Sequence, residues 1–293
     1  MPLVWINGQL ADADEPLVLA RDAGLLHGIG VFTTMLALGR SVIRLDRHLQ
    51  RLSASCAHFS IPFDLDIDTL ARVVELLLDE NQFDDARLRL TVTRGVASPD
   101  AGTVPTVLLT AAPFEPYPVD LYERGMTVAV VDRFKLNPYD PQAGHKTLDY
   151  FSRFIALNDA RSRGASEAIW FDVHNRLQSG SISNIFVVTQ GRLLTPAVAE
   201  ESADGRSAVL PGITRREVLD LARSNGIDTS TESIAIEQLL SADEVFLTNS
   251  IMGVMPVCRI ERKPVGAEKP GEITRTLTTA LSESRTRSDV REM

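Results

Sequence analysis

Apolar positions alternate along some stretches of the chain and recur every three or four residues along others, and the two periods take turns. Near the N-terminus VWING, VFTTMLALG and SVIRL read as strands, the last two joined as a hairpin around Leu38-Gly39-Arg40. DRHLQRLSASCAHFS then sets Leu49, Leu52, Cys56 and Phe59 on one helical face, with Asp46 in the N-cap position. A second helix covers DIDTLARVVELLLDEN, and the strands RLRLTVTRG and TVLLTAAP complete a first α+β unit. The proline-spaced PFEPYPVDLYERG fits neither period and is the expected linker, so the first domain is expected over residues 1–117.

Beyond it the spacing predicts a strand (MTVAVVDR), an irregular loop (FKLNPYDPQAGHK), a helix (LDYFSRFIALNDARSRG) and two strands, EAIWFD and NIFVVTQ. Between those strands lies RLQSGSISNIF, too long and too rich in serine for a tight turn. The helix GITRREVLDLARSNG follows, with Val218, Leu221 and Ala222 on its apolar face and Gly226 at its stop. Strands EVFLTNS and VMPVCRI and a final helix complete a second domain over 118–283, and the polar tail 284–293 is expected to be disordered. No internal repeat is found.

Composition narrows the function. With 293 residues, 44% hydrophobic and 24% charged, the chain has enough apolar mass for two medium cores. A net charge of -9 with no block of Lys or Arg gives nucleic-acid phosphates nothing to meet. MPLVWINGQL lacks a basic start followed by an apolar run, and no stretch is long enough to span a bilayer, so the cytoplasm is expected. Two cysteines, Cys56 and Cys258, cannot make a disulfide framework and read as small buried hydrophobes. The chain contains no GxxxxGK[ST], HExxH, CxxC or GxSxG, and its five histidines are scattered singly, so no metal site is expected. HGIGVF lacks the third glycine of a dinucleotide fingerprint and precedes a strand; Gly28 and Gly30 read as turn glycines.

Two features bear chemistry. The opening Gly212-Ile213-Thr214 offers unpaired N–H groups and a positive dipole end, which can hold an anion such as phosphate. Lys146 closes an irregular Pro/Gly loop just before an amphipathic helix. By spacing alone the first is a capped helix and the second a solvated lysine.

Taken together and in order, HGIGVFTT, RLDRHLQRLSAS, a lysine before a helix, and SISNIF, LPGITR and FLTNS resemble the class IV pyridoxal-phosphate (PLP) enzymes. This fold-type IV group contains branched-chain and D-amino-acid aminotransferases and 4-amino-4-deoxychorismate lyase. The resemblance runs from Trp5 to about Ile260 and implies a mixed α+β, two-domain fold of the branched-chain and D-amino-acid aminotransferase type, PLP as cofactor and a homodimer. It further implies that Lys146 bonds the cofactor and moves protons at the substrate. Arg51, a guanidinium suited to bidentate phosphate contact, matches the family's phosphate arginine. Ile213, Thr214 and Ser250 match the rest of the phosphate cup, and Asn184 lies beside the cofactor.

Within the group, FLTNSIMGVMPV with Asn249-Ser250, the Phe32-Thr33-Thr34 triplet and Asn137-Pro138 look more like the lyase than the branched-chain transaminases. The expected reaction is release of 4-aminobenzoate and pyruvate from 4-amino-4-deoxychorismate, a step of folate biosynthesis; the alternatives are an aminotransferase and a PLP-binding protein with altered catalysis. Arg89, Asn249 and Thr33 are the expected substrate contacts, Arg89 being preferred over Arg94 because alternation puts the two on opposite faces. Two departures stand out. Ser179 occupies the position where relatives carry a glutamate that pairs with the pyridine nitrogen, and a hydroxyl offers no counter-charge. Asp149 follows the lysine in K-T-L-D-Y and is expected to cap the next helix.

Overall fold

The computed structural model describes residues 2–98 and 102–291. The chain divides into two compact units: Met1–Glu115 with Lys146–Asp149 and the residues from Ser288, and Pro116–His145 with Tyr150–Arg287. No helix among the described residues is long and apolar enough to cross a membrane.

The first unit is built on a six-stranded sheet of β1 (Leu3–Ile6), β2 (Gln9–Asp12), β3 (Gly30–Leu38), β4 (Ser41–Val42), β5 (Ala86–Ser98) and β6 (Gly102–Pro113), in the order β2-β1-β6-β5-β3-β4. The expected hairpin is present: Leu38 pairs Ser41, and Gly39 and Arg40 both take positive φ, the conformation of a two-residue turn that follows strand twist. Helices α1 (Ala23–His27), α2 (Leu45–His58) and α3 (Ile67–Asn81) accompany the sheet. Leu49, Leu52 and Cys56 of α2 and Leu70, Val74 and Leu77 of α3 pack on Met35, Leu88 and Leu90, as their spacing predicts. The cap expected at Asp46 is displaced. Arg44 is the N-cap, in left-handed conformation and without a side-chain cap, and Asp46 sits in the first turn, where its charge still meets the positive end of the dipole. For α3, Asp66 caps through the Thr69 N–H at 2.8 Å.

Lys146 belongs to this unit and not to the second domain expected for it. Thr147 bridges Val31 in antiparallel fashion, the Phe32 N–H donates to the Lys146 carbonyl at 2.9 Å, and the Leu148 N–H donates to the Gly30 carbonyl at 2.9 Å. These backbone bonds tie the lysine to the start of β3.

The second unit contains α4 (Val119–Arg124), β7 (Met126–Val130), α5 (Phe151–Ser162), β8 (Glu167–Phe171), β9 (Leu177–Gly180), β10 (Asn184–Thr189), β11 (Arg192–Thr195), α6 (Ile213–Ser224), β12 (Thr229–Thr231), α7 (Ile236–Leu240), β13 (Glu244–Asn249), β14 (Gly253–Ile260), β15 (Lys263–Pro264) and α8 (Glu272–Arg291). Its nine-stranded sheet runs β12-β11-β10-β13-β14-β7-β8-β9, with β15 beside β14. Strands β8, β10 and β13 are apolar on both faces because both faces are covered. One side packs Ile169, Ile185 and Leu247 into a core with Ile234 and Leu239; the other packs Phe186 and Phe246, stacked at 4.8 Å, with Val218 of α6 and Leu277 of α8.

Three expectations change here. The proline-spaced segment contains the short helix α4, stopped at Gly125. Asp149 caps nothing: the N-cap of α5 is Tyr150, with no side-chain cap bond. The tail expected to be disordered is helical through Arg291, and Glu292 and Met293 lie outside the described residues.

Candidate active site

The expected site residues of the first unit meet around β3. Alternation along this strand turns Phe32 and Thr33 to opposite faces. Phe32 is buried, and its ring has two cations against it: the Arg89 guanidinium 3.6 Å from the centroid and the Lys146 Nζ at 4.4 Å. Arg89 is aimed by β5, opposite Thr34, and its Nε donates to Thr91 Oγ1 at 3.1 Å, the same-face relation expected from alternation. Arg94 is exposed.

The buried hydroxyl of Thr33 lies 2.8 Å from His48 Nδ1 and accepts from Arg51 Nη2 at 3.0 Å. The hydroxyl thus links the arginine to the ring nitrogen. His48 and Arg51 stand three residues apart on α2 and so share a face. Thr33, with His48 behind it, therefore holds the arginine in place. Burial lowers the Arg51 guanidinium to about 10, which leaves it charged at neutral pH.

The second unit gathers the rest. Strand β9, which serine content had disguised, pairs with β8, placing Ser179 opposite Trp170. Ser179 is 3% exposed, and its Oγ has no hydrogen-bond partner among the described residues. The chain then makes a tight turn, with the Gly180 N–H donating to the Ser183 carbonyl at 2.9 Å, before β10 starts at Asn184. Asn184 is buried and donates through Nδ2 to the Leu210 carbonyl at 3.0 Å, in the segment leading into α6. A methyl on Gly212 would lie 1.9 Å from Asn184 Oδ1, so only glycine permits this approach. Thr214 is buried in the first turn of the twelve-residue α6 and Ile213 half-buried beside it. Ser250 follows β13 in the turn before β14. Asn249 is occupied by that turn: its Oδ1 accepts the N–H groups of Ile251 (2.9 Å) and Met252 (2.8 Å), and its Nδ2 donates to the Ile182 carbonyl. Asn249 thus shapes the turn in which Ser250 sits.

Sequence reasoning missed Glu167. This β8 residue is 3% exposed, and its carboxylate accepts from the N–H groups of Ala168 (2.9 Å), Ser181 (3.0 Å) and Ile182 (3.3 Å) and from Ser183 Oγ (3.2 Å). Burial pushes its carboxyl up, and the four donors pull it back only in part. Arg153 closes the same turn from the carbonyl side, donating to Gly180 and Ser181 at 3.1 Å. Arg215, next to Thr214, was also missed: it is 3% exposed and bound to Glu201 at 2.6 Å and to the Pro196 carbonyl at 3.0 Å.

Residues 30–260 match the amino-transferase class IV family. The chain belongs to that family. D-alanine aminotransferase of Bacillus licheniformis is 30% identical to it over 96% of both chains, and aminodeoxychorismate lyase of Bacillus subtilis is 26% identical over 94% of this chain and 92% of that one. The branched-chain amino acid aminotransferase of Escherichia coli superimposes with a TM-score of 0.87 at 26% identity, covering 96% of this chain and 93% of its own. The family is PLP-dependent, and the mixed α+β architecture is the one its members share. The residues present suit that cofactor. Taken unit by unit, the first holds a buried cation, Arg51, and the second offers the start of α6 to an anion and a buried hydroxyl, Ser179, that lacks a partner among the described residues. No group of three or more His, Cys, Asp or Glu among the described residues could hold a metal.

Proposed function

We propose that this chain is an aminodeoxychorismate lyase, taking 4-amino-4-deoxychorismate to 4-aminobenzoate and pyruvate. Ser179 is the observation that favours this reading. A carboxylate beneath a pyridine nitrogen keeps it protonated and makes the ring a strong electron sink; a hydroxyl in that buried position does not. Transamination calls on the sink twice, whereas an elimination that ends in an aromatic ring has a strong driving force of its own. The Asn249-Ser250 turn and the similarity to the B. subtilis lyase point the same way.

When bound, PLP withdraws electrons from bonds next to the substrate amine. The remaining roles fall to this chain. Lys146 would hold the cofactor through its Nζ and, as a free amine, would take the ring proton; the enolpyruvyl C–O bond breaks, its electrons leave with the enolate of pyruvate, and that enolate takes up a proton to give pyruvate. Arg89, held on the Phe32 face beside Lys146, meets a substrate carboxylate. Arg51, oriented by Thr33 and His48, would serve an anion such as the phosphate, the role that Ile213, Thr214 and Ser250 would take in the second unit. Asn184 and Ser179 would hold the pyridine ring.

An aminotransferase of D- or branched-chain amino acids is the second reading, favoured by the 30% identity to D-alanine aminotransferase along almost the whole chain. One experiment separates the two. Purified protein with PLP is given aminodeoxychorismate, and 4-aminobenzoate and pyruvate are measured; in parallel it is given amino acids, and conversion of PLP to its amine form is followed by absorbance. Amino-acid conversion without lyase turnover would overturn the first reading. A homodimer is also proposed, and a monomeric mass for the active species would contradict it.

A further inference from the structure

Two turns of the second unit carry residues proposed for opposite ends of the cofactor. Residues 180–183 lie between Ser179 and Asn184, at the ring end, and residues 249–252 contain Ser250, at the phosphate end. Each turn has bonds of its own. In the first, Glu167 takes the N–H groups of Ser181 and Ile182, and Arg153 donates to the carbonyls of Gly180 and Ser181. In the second, the Tyr122 hydroxyl donates to the Met252 carbonyl at 2.8 Å, and Gly253, at a φ of 66°, starts the return strand opposite Asn249. None of these bonds relates one turn to the other.

The side chain of Asn249 touches both. The backbone ladder between β10 and β13 ends at Asn184 and Thr248. One residue further, Asn249 continues it with its amide: Nδ2 donates to the Ile182 carbonyl at 3.2 Å, while Oδ1 accepts from the N–H groups of Ile251 and Met252. With two N–H groups on its oxygen the amide has one orientation, and its nitrogen must face the other turn. A single planar group therefore spans the two turns and sets their spacing.

We propose that Asn249 is a positioning residue that holds the ring-end turn in register with the phosphate-end turn. The inference rests on the reading of Asn184 and Ser250 as cofactor contacts and is independent of which reaction the enzyme performs. A ligand gripped at both ends gains from grips fixed beforehand, because freedom between them is lost on binding. A ligand gripped at the phosphate end alone gains nothing. That difference separates a brace between turns from a residue that only shapes its own turn.

Asn249→Ser keeps a short acceptor for the Ile251 N–H, as serine does in turns, and is too short to reach Ile182. Dissociation constants are measured for PLP by absorbance titration of the cofactor-stripped protein, and for inorganic phosphate by its competition with PLP. The variant is expected to bind PLP roughly fivefold more weakly, the effect of one lost hydrogen bond, and to bind phosphate as wild type does. A second measurement needs no ligand. Trp170 Nε1 donates to Ser181 Oγ at 2.9 Å in the ring-end turn, so its indole resonance in 15N-tryptophan-labelled protein, assigned by its loss in Trp170→Phe, reports on that turn. This resonance should shift in Asn249→Ser and in Asn249→Asp, which keeps both bonds to Oδ1 and removes only the donor, while that of Trp5 in the first unit stays in place. Two controls test the underlying reading: Ser250→Ala should weaken PLP and phosphate alike, and Asn184→Ala should weaken PLP alone. If neither control weakens PLP, the assignment of these residues to the cofactor fails and the inference with it. If both controls behave as expected, the brace alone is overturned by an unchanged PLP affinity in Asn249→Ser, by equal losses for PLP and phosphate, or by a Trp170 resonance that does not move.

Discussion

Replacing Ser179 with glutamate tests whether this position faces the cofactor, as proposed, without relying on turnover. In the cofactor-free protein the new carboxyl would sit at a 3% exposed position opposite Trp170, where the existing hydroxyl already has no partner. Such a group stays protonated at neutral pH; a pKa raised by about 3 units costs about 4 kcal/mol at 1.36 kcal/mol per unit. At about 2–4 °C per kcal/mol for a chain of this size, the cofactor-free melting temperature should fall by about 8–16 °C. With PLP bound, the carboxylate gains a pyridinium partner and much of that loss is recovered, so the gap between loaded and stripped protein should widen by a similar amount. Differential scanning calorimetry of both forms, for wild type, Ser179→Glu and the volume control Ser179→Ala, measures it. Equal losses with and without PLP would refute the reasoning, because Ser179 would then face something other than the cofactor.

Lys146→Ala should abolish fixation of PLP by borohydride, read by mass spectrometry, and reduce turnover by roughly a thousandfold, as loss of a positioned proton carrier does; fixation persisting in the variant would move the covalent role to another lysine. Gly212→Ala forces a methyl to 1.9 Å from Asn184 Oδ1, and an overpacking cost of about 1–3 kcal/mol should weaken PLP binding by roughly tenfold in equilibrium titration, with Ala222→Gly of α6 as a control for general loss of stability. Burial pushes the thiols of Cys56 and Cys258 up to about 12 and about 11, so the folded protein should resist iodoacetamide at pH 8 and take up two equivalents when denatured. Because these folded-state values exceed those of the unfolded thiols, stability should hold below pH 9 and decline as pH rises from there, more steeply than in a Cys56→Ala, Cys258→Ala double variant.

Local signals in the sequence account for the elements that obey a single period. The Leu38-Gly39-Arg40 hairpin, the apolar face of α2 and the start of α6 at Ile213 were legible because turn chemistry and spacing act within a few residues. Strand β9 was not legible, since Leu177-Gln178-Ser179-Gly180 is buried throughout yet half polar, and no alternation marks it. The cap at Asp46 failed because residue type was right but the helix began two residues earlier, on a left-handed Arg44. Arg51 and Lys146 were singled out through motif order, whereas the contact of Thr33 with His48 joins residues fifteen apart in sequence and left no local mark. The placement of Lys146 with the first unit was hidden for the same reason: it rests on backbone bonds to Gly30 and Phe32, more than a hundred residues upstream.

The turn held by Glu167 is specified almost entirely through main-chain atoms. Ser181 is held through its N–H and through its hydroxyl, which accepts from Trp170 Nε1 at 2.9 Å, and Ser183 is held through its hydroxyl; Ile182 contributes its N–H and carbonyl, and its half-buried side chain has no bond to make. The turn is therefore a template with one interchangeable part. Position 182 can therefore be varied while the backbone keeps its course, and a change there alters only the hollow that this side chain lines with Leu247 and Met252.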